Sequence, residues 1–212
     1  MPSALLTLFL GLQVRTRQNV FSNLYQFFLT YEAAHGLKDT FLLALDDCLE
    51  DVDILMDDYY IVREHFTDKG GRIDMVIFED SEEPSKVVII ENKINHSLHN
   101  DLKDYWDSFR HYSDRIGIVL TLHSIKVPKN YVNVTHRQWM IKVQQRLGSV
   151  IASIDTKYLI MLQDFIAHLN TFYQNKQEVD ILKFLHERGE QISELNTIRD
   201  SGIQALNNDL KR

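Results

Sequence analysis

The sequence predicts an α/β sandwich: a central mixed sheet flanked by helices, with a helical segment at the C-terminal end. Three observations lead there. Apolar residues recur at helical spacing near the start, through Val20, Phe21, Leu24, Phe27, Phe28 and Tyr31. Short apolar runs of strand length fill the middle, at residues 73–78, 87–90 and 116–122. Helical spacing returns after the second and third of these runs. The order is helix, helix, three strands, helix, two strands, two helices, and the first three strands read as a meander.

Taken in order, residues 4–14 (ALLTLFLGLQV) are apolar, but no basic segment precedes them and the run is too short to span a bilayer, so a packed helix is expected. The helix over 18–34 stops at His35-Gly36, with His35 a helix-end residue where a cation is favoured. A second helix over 39–49 places Phe41, Leu42 and Leu45 on one side, and the acidic run 46–58 reads at least in part as surface loop. Residues 59–65 (YYIVREH) form a strand. Gly70-Gly71 turns the chain into 73–78, and a polar turn containing Pro84 leads to 87–90. Leu98, Leu102, Tyr105, Trp106 and Phe109 mark a helix over 97–112, its aromatics expected in the core. Strands at 116–122 and 131–134 and helices over 137–147 and 158–173 follow. Residues 177–212 hold sparse apolar positions interrupted by Gly189 and Gly202. Heptads are not sustained, which favours two helices on the domain's flank over a coiled-coil arm for self-association.

The chain has 212 residues, 44% hydrophobic and 25% charged, which fits one domain with an appendage. A formal charge of −7 argues against a broadly basic nucleic-acid binder, although a local basic groove around an acidic centre is compatible with it. Cys48 is the sole cysteine, so intramolecular disulfides and cysteine zinc sites are excluded and a cytoplasmic setting is expected. No glycine-rich phosphate loop of the Walker type is present.

Charge interrupts the apolar strands at three positions. Asp74 sits inside one, and Glu91 and Lys93 close the next, on the same face by strand alternation, with Asn92 opposite. If the strands pair as a hairpin, two carboxylates and an ammonium converge. Buried charge of this kind needs a partner or a bound cation. Mg²⁺, with Mn²⁺ as substitute, takes hard oxygen ligands; Asp74, Glu91 and the main-chain carbonyl of Asn92 suffice for the protein's share. Lys93 is placed to orient a water or to stabilise charge on a phosphate, as metal-assisted hydrolysis requires. The bland alternative is a structural ion pair at a strand end.

An acid on one strand followed by E-x-K on the next resembles the PD-(D/E)xK phosphodiesterase superfamily, and the flanks are similar to its family 4 group. The likeness covers roughly residues 15–125, through HGLKDTFL, GGRIDMVI, VVIIENKI and IGIVLTL. It implies a restriction-endonuclease-like fold over residues 1–175, a helical extension over 176–212, and a Mg²⁺-dependent nuclease with Asp74, Glu91 and Lys93 catalytic. DNA is favoured over RNA, in defence or repair. Two departures stand out. The group's glutamate at the start of the first helix aligns with Gln18, which offers an oxygen but no charge, and Glu32 is nearly four turns further on, roughly 21 Å. A glutamine on the helix after E-x-K is replaced by Asp101. The rival readings are a catalytically silent binding module and an effector subunit activated by a partner docked on the C-terminal helices. A two-fold homodimer would suit duplex cutting, and no membrane partner is expected.

Other charged groups are read more plainly. Glu64 and Arg63 are expected as exposed strand-face charges, with contact of Glu64 to the charged site as the less favoured reading. His96 and His99 lack further ligands at metal-site spacing. Lys126, Lys129, Arg137, Lys142 and Arg146 form the best basic cluster, a candidate phosphate-binding surface or simply a solvated face.

Overall fold

A computed structural model describes residues 17–30, 35–94 and 102–173. Helices α1 (Arg17–Leu29) and α2 (Lys38–Asp46) lead into strands β1 (Tyr59–Phe66), β2 (Arg72–Glu79) and β3 (Lys86–Lys93). Helix α3 (Leu102–Ser108), strands β4 (Asp114–Thr121) and β5 (Tyr131–Thr135), and helices α4 (His136–Leu147) and α5 (Thr156–Asn170) complete the order, with a 3₁₀ turn at Ile151–Ser153. The sheet runs β1-β2-β3-β4-β5. β1, β2 and β3 are antiparallel neighbours; β4 pairs parallel with β3, and β5 parallel with β4. This is the mixed sheet flanked by helices that the order of elements implied.

Alternation along the strands sorts side chains into two layers. Met75, Ile77, Val88, Ile90, Ile118 and Leu120 face the larger core with α1, α2, α4 and α5. Val76, Phe78, Val87, Ile89 and Val119 face a smaller one, capped by Leu102, Tyr105 and Phe109. All three caps are buried, as their apolar spacing implied. Parallel strands buried on both faces need continuous apolar runs, and the burial of residues 87–90 and 116–120 meets that need.

Local chemistry sets the boundaries. Thr135 and Gln138 form a capping box at the start of α4, and Asp155 caps α5 by accepting from the Lys157 N–H. In the β1–β2 turn Gly70 takes φ +82°, a conformation that L side chains resist. Gly117 on β4 lets the Tyr131 ring close in, since a Cβ there would stand 2.6 Å from Cδ1.

One expectation is met in detail and another needs correction. The acidic run after α2 is surface loop in part, as expected: residues 50–58 are exposed or half-buried except Ile54, which is buried with Leu49, and the Asp46 carboxylate accepts from the Ile54 N–H at 3.0 Å. His35 is buried rather than a cation at a helix end. Its Nε2 lies 2.8 Å from the Phe27 carbonyl and its Nδ1 accepts from the Leu37 N–H, while burial pushes its pKa down. Residues 4–14, Glu32, His96, His99, Asp101 and the segment 176–212 lie outside the described residues.

Candidate active site

The strand directions place the candidate residues at one end of the sheet. β3, β4 and β5 finish there, and β2, running the other way, starts there. The last paired residues of β2 and β3 towards this end are Met75 and Ile90, so Asp74 and Glu91 come next and lie opposite one another. At this pair side chains take over from the main-chain ladder. The Asn92 N–H donates to Asp74 Oδ2 at 2.8 Å, and the Asp74 N–H bonds to the Glu91 carboxylate. Each strand thus fixes the other's acid.

Glu91 is 1% exposed and Lys93 9%. Lys93 Nζ stands 2.6 Å from Glu91 Oε1. Burial, then the charge of Asp74, pushes the Glu91 carboxyl up to about 7; Lys93 pulls the other way. A carboxylate held in this way would gain from added positive charge. The donor set of two carboxylates with a nearby main-chain carbonyl suits a hard divalent ion that keeps its waters. It is a lean set: among the described residues no group of three or more His, Cys, Asp or Glu side chains is arranged to hold a metal.

Asn92 points to the α1 side, where its Nδ2 donates to Ser22 Oγ at 2.9 Å. Ser22 is buried, and it ties E-x-K to the helix that carries Gln18 one turn earlier. Sequence reading passed over Ser22. Its signal was a serine among the apolar positions Phe21, Leu24 and Tyr25, with a buried strand asparagine in need of a polar partner.

The chain belongs to the PD-(D/E)XK nuclease superfamily. A family model of that description matches residues 8–141, more than half the chain. No curated protein and no solved structure matches the chain at a significant level. Enzymes of the superfamily are generally nucleases that use divalent metals, and nucleic acid is their substrate.

The basic residues do not form one patch on this superfamily member. Lys126 and Lys129 are exposed on the connection between β4 and β5, and Arg137 is exposed at the start of α4, the same end of the sheet as Lys93. Arg146 lies nine residues further along α4, roughly 14 Å away, and is engaged: its Nε and Nη2 donate to Asp47 Oδ2 and Oδ1, both at 2.7 Å. Lys142 shares that distal end and acts on Asp47 through its charge. Separately, a cavity of about 730 Å³ opens beside α3, lined by His65, Lys69, Asp104, Arg110, His111 and Tyr112 among others, and none of Asp74, Glu91, Asn92 or Lys93 borders it. Among the described residues no helix is long and apolar enough to cross a membrane.

Proposed function

We propose that the protein is a divalent-metal-dependent nuclease, with Mg²⁺ or Mn²⁺ as cofactor and DNA as the favoured substrate. The observation that carries this reading is the Asp74–Glu91 pair closed by Lys93 at 2.6 Å, at the point where the main-chain ladder gives way to side chains. Asp74 and Glu91 would hold the cation together with the Asn92 carbonyl, and the helix whose first turn includes Gln18 is tied to this strand through Ser22. When bound, such an ion supplies charge stabilisation at a phosphoryl oxygen and makes water a better nucleophile at neutral pH.

The protein's own groups divide the remaining work. Lys93 brings positive charge to the place where negative charge develops on the phosphate and orients the attacking water. The Asn92 N–H holds the Asp74 carboxylate, and the Asn92 side chain, anchored on Ser22, keeps β3 from sliding against α1. Burial of Glu91 keeps bulk water from screening these charges.

The test is cleavage of single- and double-stranded DNA and RNA with Mg²⁺ and with Mn²⁺. Cutting of DNA by the wild type, lost in Glu91→Ala and Lys93→Ala variants of unchanged circular dichroism, is the expected result. A wild type that cuts none of the four substrates overturns the reading. The lean donor set and Gln18 favour one rival, a silent nucleic-acid-binding module. Calorimetry separates the two, since the nuclease takes up Mn²⁺ in a manner that depends on Asp74 and Glu91 and the silent module takes up none.

A further inference from the structure

Arg63 and Glu64 sit on β1 beside the site. The register of Arg63 with Met75 and of His65 with Ile73 sets Glu64 opposite Asp74, which in turn lies opposite Glu91. Three acids therefore occupy neighbouring positions across three strands. Glu64 has φ +52°, the only positive φ outside glycine among the described residues. A side chain held in that region is strained and persists only where its surroundings impose it.

The kink has a visible effect on both strands. Val62 and His65, three residues apart, both reach the smaller core, His65 against the rings of Phe78 and Phe109. Ile73 and Val76, also three apart, do the same on β2. Regular alternation would send the members of each pair to opposite faces. The reversal falls at Glu64 and Asp74.

The cations near this row are not equivalent. Lys93 is committed to Glu91 at 2.6 Å. Arg72 stands 3.5 Å from Glu64 with 52% of its side chain exposed. Arg63 is only 17% exposed, and its nearest ion-pair contact, to Glu64, is long at 4.0 Å. Its Nε is buried with no hydrogen-bond partner among the described residues. Holding a guanidinium out of water is costly unless an anion uses its donors, and its planar fork matches the oxygens of a phosphate. The charges of Glu64 and Asp74 both act on it.

We propose that Arg63 is a substrate-contacting residue of the nuclease site, binding a backbone phosphate of the nucleic acid beside Asp74, with the kinked Glu64 as the positioning residue that keeps it there. This rests on the nuclease reading and adds to it a phosphate contact from the edge strand.

The experiment measures binding of a short DNA duplex in Ca²⁺ over a series of salt concentrations, and cleavage in Mg²⁺, for wild type, Arg63→Ala and Arg63→Lys. Arg63→Ala is expected to lower kcat/KM and to flatten the slope of log K against log salt by about 0.9, the signature of one lost phosphate contact. Arg63→Lys is expected to restore the slope but not the full kcat/KM, because an ammonium lacks the fork. Wild-type slope and wild-type kcat/KM in Arg63→Ala overturn the proposal while leaving the nuclease reading intact. If Arg63→Ala does not fold, Arg63→Lys decides alone: reduced kcat/KM at unchanged slope supports the contact, and unchanged kcat/KM overturns it. A wild type that neither binds nor cuts overturns both readings.

Discussion

Where β2 starts and β3 finishes the chain carries formal charges into the sheet, whereas between α1 and α4 it buries polar groups that are neutral. In the second region Tyr25 Oη and His136 Nδ1 share a hydrogen bond of 2.7 Å, and Tyr25 stacks on Trp139 with ring centroids 4.3 Å apart. Trp139 Nε1 donates to the Phe41 carbonyl at 3.0 Å. Burial drives the His136 pKa down to about 3 and that of Tyr25 well above its ordinary value, so both stay uncharged at neutral pH. In the first region Glu91, equally buried, keeps a lysine and a second acid for company. Neutral polar groups let helices lock together at modest expense. Charges inside a sheet do not, and their presence at this end of the sheet is what the proposed nuclease site accounts for.

The contrast is broken most forcefully from the structural side. Trp139→Ala removes a fully buried ring and its hydrogen bond, and a loss of about 3–5 kcal/mol is expected in denaturant unfolding. Cleavage per folded molecule should be unaffected. Glu91→Gln acts the opposite way. Cleavage should fall by about 10²–10³-fold, equivalent to roughly 2.7–4 kcal/mol, while the thermal midpoint holds or rises because a buried charge is gone. An unfolded Glu91→Gln variant would make the charged row structural and erase the distinction.

Proton linkage sharpens the comparison further. The pKa of His136 drops from 6.5 in the unfolded chain to about 3 in the fold, so the unfolded state binds the extra proton between those values. Above 6.5 both states are neutral and the histidine's contribution is complete. Below it, stability is lost by about 1.4 kcal/mol per pH unit, levelling off under pH 3. Subtracting the pH profile of His136→Gln from that of the wild type isolates this slope, and equal slopes would show that His136 is not held neutral. The smallest effect is expected at Arg146→Ala. Its pair with Asp47 is about one-third exposed on each side and is worth no more than about 1 kcal/mol. Because Asp47 already occupies its guanidinium, DNA affinity should not change; a tenfold loss would return Arg146 to the substrate surface.

Much of this was legible in the residues. Apolar runs gave strand order and burial, and the acids interrupting 73–78 and following 87–90 drew the eye because a sheet interior does not hold charge without reason. What sequence reading missed followed from its own assumptions. Counting by twos along a strand presumes constant alternation, so the reversal at Glu64 and Asp74 was invisible, and with it the distinct position of Arg63. Grouping Arg137 with Arg146 treated nearness in sequence as nearness in space, although a helix of this length carries its two ends apart. His35 read as a helix-end residue suited to a cation because nothing local announces that the carbonyl of Phe27 and the amide of Leu37 close around it.

The kink at Glu64 has one more effect, on the company the protein keeps. β1 is a border strand of eight residues carrying Tyr60 and Phe66 outward, 48% and 70% exposed, and a straight ribbon of that kind invites other chains to zip onto it. A left-handed residue between Arg63 and His65 spoils the regular spacing of donors and acceptors near the ribbon's end. The bend therefore makes the outer edge of β1 a poorer template for a further strand.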